Sequence, residues 1–190
     1  MRTLISTAFI SLDGVVEDPG GQTGYRNGGW TFKSVDFVPE AYAIKGSEQL
    51  ESTAMLMGRK SYELFSPVWP GMEDFSHYKV LPKYVVSTTL TDDDLVSDWG
   101  PTTIVRSLDE VAALKASEGG PIIVHGSTEL NRNLADADLI DRYHLLVFPL
   151  LLGAGKRLFS DTDKDAQKLK LVEHEAYANG IQKMIFNVVR

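Results

Sequence analysis

The segment Met55-Leu56-Met57-Gly58-Arg59-Lys60-Ser61-Tyr62-Glu63 sets a glycine, two cations and a hydroxyl residue directly behind a short apolar run. That order suits an anion. If the apolar run is a strand and the polar residues open a helix, the first-turn amides and the positive helix end favour phosphate. Gly58 then allows close approach, and Arg59 and Lys60 add charge-assisted hydrogen bonds. The same residues also fit an exposed basic turn with Ser61 as an ordinary N-cap. A second junction of this kind is Ile122-Ile123-Val124-His125-Gly126-Ser127-Thr128-Glu129-Leu130, with Ser127 or Thr128 as the helix cap. His125, which ends the apolar run, fits a structural histidine better than a catalytic one, though ligand contact is the alternative. A third candidate is Asp13 in Ser11-Leu12-Asp13-Gly14-Val15-Val16, placed to hold substrate, order the next loop or give a proton. A plain Asp-Gly turn fits it equally well.

These residues need a scaffold that brings strand ends together. Short β-branched or aliphatic runs recur at Leu4 to Leu12, Ala54 to Met57, Tyr84 to Ser87, Thr102 to Val105, Ile122 to His125 and Arg142 to Phe148. Helical stretches separate them, so crossovers and a largely parallel sheet covered on both faces are expected. Both glycine junctions would then lie at strand carboxyl ends, where open α/β sheets bind ligands. Ser107-Leu108-Asp109-Glu110 has the form of a capping box opening a helix through Ala116, and a longer helix is expected from about Asp36 to Glu51. Leu169 to Tyr177 and Ile181 to Val189 flank Asn179-Gly180, which predicts an antiparallel hairpin at the end of the sheet. The glycine-rich stretch from Gly14 to Gly29 suits a flap, and Ser66 to Pro82 reads as a second long loop.

Composition narrows the chemistry further. A chain of 190 residues with 43% apolar and 24% charged residues is expected to form one domain over 1–190 with a substantial core. A net charge of -7 argues against nucleic acid or an anionic membrane as a general partner, so any phosphate must be held locally. The chain has no cysteine, which removes disulfides, thiolate metal sites and thiol nucleophiles and agrees with a cytoplasmic location. No metal is expected, because the four histidines lack paired ligand spacing. Asp161, Asp163 and Asp165 imitate the start of a calcium loop, but Ala166 stands for the required glycine and Val172 for the glutamate.

Four motifs in order carry a family resemblance: Ser11-Leu12-Asp13-Gly14, Gly58-Arg59-Lys60-Ser61-Tyr62-Glu63, Val124-His125-Gly126-Ser127, and Phe148-Pro149-Leu150-Leu151-Leu152-Gly153-Ala154-Gly155-Lys156-Arg157-Leu158-Phe159. Together they resemble the RibD C-terminal, dihydrofolate-reductase-like family over nearly the whole chain. The resemblance implies a three-layer α/β fold with a mixed, mostly parallel sheet of about eight strands and an NADPH-dependent reductase acting on a small pterin- or pyrimidinone-like heterocycle. It implies that Gly58, Arg59, Lys60 and Ser61 meet cofactor phosphates, that Ser87 and Thr88 lie near the adenosine ribose and its 2′-phosphate, and that Gly126, Ser127 and Thr128 contact the pyrophosphate. Asp13 is then the catalytic candidate, with Trp30, Asp36, Tyr62 and His125 toward the substrate. A homodimer is also implied, and the apolar edge of the C-terminal strands agrees with it.

The resemblance has two narrower readings. Riboflavin-pathway reductases of the family carry an acidic residue before a glycine pair, where this chain has His125, Gly126 and Ser127. Reduction of 5-amino-6-(5-phosphoribosylamino)uracil is therefore an alternative, and a non-catalytic nucleotide-binding module is another. Dihydrofolate reductases place a carboxylate on the first long helix; Asp36 and Glu40 are the nearest acids here, at a different spacing.

Overall fold

Eight extended runs pair into one mixed sheet in the computed structural model, which describes residues 1–162 and 165–190. The strands are β1 (Leu4–Ser11), β2 (Ala54–Gly58), β3 (Lys83–Val86), β4 (Thr102–Val105), β5 (Ile122–His125), β6 (Arg142–Phe148), β7 (Lys168–Ala176) and β8 (Gln182–Val189). Their spatial order is β4-β3-β2-β5-β1-β6-β8-β7. All neighbours up to β6 are parallel, whereas β8 runs antiparallel to both β6 and β7. The expected α/β fold and closing hairpin are thus present, with Gly180 at the hairpin turn in the left-handed region (φ 84°) that glycine tolerates. Asp163 of the acidic run lies outside the described residues.

The helices are α1 (Trp30–Lys33), α2 (Pro39–Glu51), α3 (Arg59–Phe65), α4 (Ser76–Val80), α5 (Leu108–Ala116) and α6 (Thr128–Asp136). Helix α2 begins three residues later than the sequence suggested, because Pro39 has no N–H and drives Val38 into an extended conformation (φ -122°, ψ 105°). Asp36 is consequently outside the helix. In α5 the Ser107 hydroxyl accepts from the Glu110 amide as expected, but the Glu110 carboxylate reaches back to the Arg106 amide. Ser66 to Pro82 is more ordered than a loop: it holds two 3₁₀ turns, at Trp69–Gly71 and Glu73–Phe75, and helix α4.

Register decides which side chains can meet. Thr7 on β1 lies beside His125 on β5 and His144 on β6, so these three project to the same face. That face carries α2 and α4 over two apolar clusters, one around Met55, Met57 and Trp99 and one around Trp30, Leu146 and Phe148. The opposite face packs Leu4, Ile10, Leu56 and Val124 under α5 and α6. Three layers result. Lys83 is buried on the α4 side, where its ammonium donates to the carbonyls of Tyr78, Lys79 and Leu81 at 2.6–3.0 Å and so closes the carboxyl end of α4. Among the described residues no helix is long and apolar enough to cross a membrane.

Candidate functional site

Strands β2 and β5 are neighbours, with Leu56 paired to Val124, so the bends at Gly58 and Gly126 emerge side by side at one edge of the sheet. Two hydrogen bonds lace them together. The Gly58 amide donates to the Ser127 hydroxyl at 2.8 Å, and the Ser127 amide donates to the Ser61 hydroxyl at 2.9 Å. Gly126 has φ 57°, and a Cβ there would sit 3.0 Å from the Ser61 hydroxyl oxygen, so both conformation and space call for glycine. The lacing changes the roles expected of Ser61 and Ser127: their hydroxyls hold the bends in place. In α6 the Asn131 amide is the first to find an acceptor in its own turn, the Ser127 carbonyl at 2.8 Å. The amides of Thr128, Glu129 and Leu130 precede it at the positive end of the helix.

Cations gather along the same edge. Arg59 pairs with Glu63 one turn on at 2.6 Å and donates to the Thr89 hydroxyl at 2.8 Å, spanning from α3 to the turn that follows β3. In that turn Ser87 is buried, its hydroxyl accepting from the Thr89 and Leu90 amides, while Thr88 is exposed. Arg106, which follows β4, donates to the Ser87 carbonyl at 2.8 Å. The sequence signal for it is a cation directly behind the apolar run Thr102–Val105. Lys60 is exposed and has no ion pair among the described residues. This edge therefore offers two guanidinium groups, an ammonium, hydroxyls and helix amides, a set suited to phosphate esters.

Asp13 lies at the end of β1, but it works as a clasp. Its carboxylate accepts from the Ser11 hydroxyl at 2.6 Å, the Gly153 amide at 2.8 Å and the Leu152 amide at 3.2 Å, and its carbonyl accepts from Arg157. The Ser11 bond is the main influence holding the carboxyl below its ordinary range, against a smaller opposing effect of burial and with help from the two amides. An ionised Asp13 positions loops and is poorly suited to give a proton at neutral pH. The glycine-rich stretch is tied down alongside it: Asp18 accepts from the amides of Gln22 and Thr23, and the Val16 amide donates to the Lys156 carbonyl.

The four residues expected toward the substrate are dispersed. Trp30 is 1% exposed; its indole N–H donates to the Glu17 carbonyl at 2.8 Å and its ring meets Phe148 edge-on. Tyr62 is equally buried, stacked on Trp99, with its hydroxyl accepting from the Val96 amide. Both are large aromatics whose polar tip finds a backbone partner, which lets the body pack in the core. Asp36 is exposed, and its carbonyl accepts from the Asn179 amide group. His125 stays near the site, its Nε2 2.8 Å from the Tyr78 hydroxyl and its ring edge-on to Trp69. Burial pushes the imidazole down to about 4 and Tyr78 upward, so the tyrosine O–H donates and His125 is neutral.

A polar cluster that sequence reasoning missed lies beneath α2. The carboxylate of Glu48, 1% exposed, accepts from the Thr7 hydroxyl at 2.6 Å and lies 3.1 Å from both the Lys45 ammonium and His144 Nδ1. Lys45 also donates to the Thr7 hydroxyl at 2.6 Å. Burial alone would raise Glu48; Lys45, His144 and Thr7 overcome it and hold the carboxyl at about 2. One signal was legible: Glu48 falls on the same helical stripe as Ala41 and Ile44, an acid where the period calls for an apolar residue.

Known proteins share this fold. A family model described as the RibD C-terminal domain matches residues 2–183. YyaP of Bacillus subtilis (strain 168) is 28% identical over 193 residues, which cover 98% of this chain and 95% of that protein. Among solved structures, one from Shewanella sp. PV-4 assigned to riboflavin biosynthesis superposes with a TM-score of 0.75 at 21% identity, covering 99% of each chain. A pyrimidine reductase-like protein of Corynebacterium diphtheriae gives 0.66 at 15% identity, covering 99% of this chain and 92% of its own.

Proposed function

Because the chain belongs to the RibD C-terminal domain family, we propose that it is a reductase that takes NADPH along the carboxyl ends of β2, β3 and β5 and reduces a small pterin- or pyrimidinone-like heterocycle. The observation that carries this reading is the laced pair of bends at Gly58 and Gly126, flanked by Arg59 and Arg106. The residues present fit a phosphorylated dinucleotide. The first amides of α6 suit the pyrophosphate, and Arg59 and Arg106, on either side of Thr88 and Thr89, suit a further phosphate on the adenosine ribose. Bound NADPH supplies a hydride; the protein supplies orientation, charge complementarity and water exclusion.

The Corynebacterium protein, described as pyrimidine reductase-like, and the Shewanella protein of riboflavin biosynthesis support the narrower reading, reduction of 5-amino-6-(5-phosphoribosylamino)uracil. The test is a titration of the purified protein with NADPH and NADH, followed by that compound and a set of pterins with cofactor oxidation as the readout. Arg59→Ala should weaken NADPH about tenfold and leave NADH nearly unchanged, since only the former carries the extra phosphate. An unaltered NADPH affinity in the folded variant would remove the assignment, and absence of NADPH binding by the wild type would remove the function.

A further inference from the structure

On the α2 side of the sheet a run of aromatic rings ends at a single ammonium group. Phe32 and Phe37, 61% and 64% exposed, stack on Tyr42 with centroids 6.1 and 5.2 Å away. Tyr42 meets Phe9 edge-on at 5.9 Å, and the Lys45 ammonium lies 4.8 Å from the centre of the Phe9 ring. Two of the three ammonium hydrogens are engaged by Thr7 and Glu48. The third has no hydrogen-bond partner among the described residues, and the side chain is 20% exposed. Thr7 lies beside His125 in the sheet, one residue before Gly126, so this ammonium sits just beneath the edge where the bends converge.

Fold stability alone does not explain the arrangement. Burying a carboxylate and an ammonium carries a desolvation penalty that an apolar pair filling the same space would avoid. Here Glu48 is fixed from three directions, by Thr7, His144 and Lys45, and the result is a cation with one fixed position at the end of an aromatic wall. Flat rings stack on such a wall, and an ammonium at its inner end favours negative charge on the edge that arrives there.

We propose that Lys45 selects the ligand of this face: a planar heterocycle bearing negative charge on a ring oxygen, which packs against the aromatic group of Phe9, Tyr42, Phe32 and Phe37 and accepts an N–H of Lys45. Glu48, Thr7 and His144 are positioning residues that hold the ammonium there. That the ligand is the substrate rests on the reductase reading; that it binds does not.

The probe is barbiturate, a flat pyrimidine ring that is anionic at neutral pH, compared with uncharged uracil by calorimetric titration of the nucleotide-free protein. Barbiturate should bind the wild type roughly tenfold more tightly than it binds Lys45→Met, the worth of one charge-assisted hydrogen bond. Lys45→Arg should keep most of the affinity, and uracil should not distinguish Lys45→Met from the wild type. If Lys45→Met fails to fold, the neutral pair Lys45→Gln with Glu48→Gln removes both charges together and should show the same loss. Equal barbiturate affinity across the variants, or barbiturate no tighter than uracil on the wild type, overturns the proposal. NADPH titration of the same proteins separates the two readings. A wild type that binds barbiturate through Lys45 but not NADPH rejects the reductase and leaves the anion site standing, whereas normal NADPH binding with no dependence on Lys45 does the reverse.

Discussion

Acid should destabilise this protein through His125 well before its carboxylates protonate. In the unfolded chain a histidine titrates near 6.5, whereas burial beside Tyr78 and Trp69 brings the folded group down to about 4. Above 6.5 both states are neutral and the group contributes nothing to the pH dependence. As pH falls below that value the unfolded chain takes up a proton that the folded one refuses, so stability drops by about 1.4 kcal/mol per pH unit. Over the whole interval the loss is about 3 kcal/mol, and it ends once the folded imidazole protonates as well. Glu48 acts in a lower window: its carboxyl titrates near 4.5 when unfolded and about 2 when folded, so the stability it contributes is present above 4.5 and lost below. Urea unfolding from neutral pH down to 4 measures the first window, with His125→Gln as the comparison, since a glutamine oxygen can still accept the Tyr78 hydroxyl. The variant should show a nearly flat response between 6.5 and 4.5. A slope equal to that of the wild type would mean that His125 is not the buried neutral group, and would return it to the candidates for proton transfer at neutral pH.

Two other expectations follow from the edge of the sheet. Ser127→Ala deprives the Gly58 amide of its 2.8 Å acceptor and should cost about 1–2 kcal/mol in urea unfolding, with a parallel loss of NADPH affinity; full stability would show that the lacing is dispensable. At the far edge, β7 is exposed along most of its length with Leu171 and Val172 about half-exposed, and we propose that a second copy pairs there in antiparallel fashion about a two-fold axis. Sedimentation should then show a dimer that Val172→Lys dissociates, and a wild type that stays monomeric at every concentration rejects the pairing.

Local pattern made the strands and the two glycine bends readable, because apolar runs and a glycine before a capped helix are written within ten residues of each other. Strand order is another matter. That β5 inserts between β1 and β2 depends on pairings between residues more than sixty positions apart, such as Ala54 with Ile122, which no local pattern records. The polar cluster under α2 failed to show for the same reason. Thr7, Glu48 and His144 come from three elements far apart in sequence, and nothing but sheet register brings Thr7 beside His144. Trp30 and Tyr62 differ in the opposite way: the family resemblance directs them toward a substrate, but the direction of a side chain on a short helix is set by packing, and both turn inward.

A net charge of -7 and a site for phosphates are compatible because the charge that matters is local. At physiological ionic strength fields between exposed groups fade over about 8 Å, so acids on distant surfaces count for little at the edge carrying Arg59, Lys60 and Arg106. What such an edge must avoid is losing its cations to internal pairing. Arg59 is the informative case: Glu63 takes its Nε and Thr89 one Nη, and both partners are exposed, so the guanidinium is oriented across the β3 turn while its second Nη has no partner among the described residues. Lys45 follows the same logic on the buried side of the edge, held by two partners and with one hydrogen unpaired among the described residues. In both places an acid belonging to the protein aims a cation without using it up, and this is how an acidic chain can present positive charge at a chosen point.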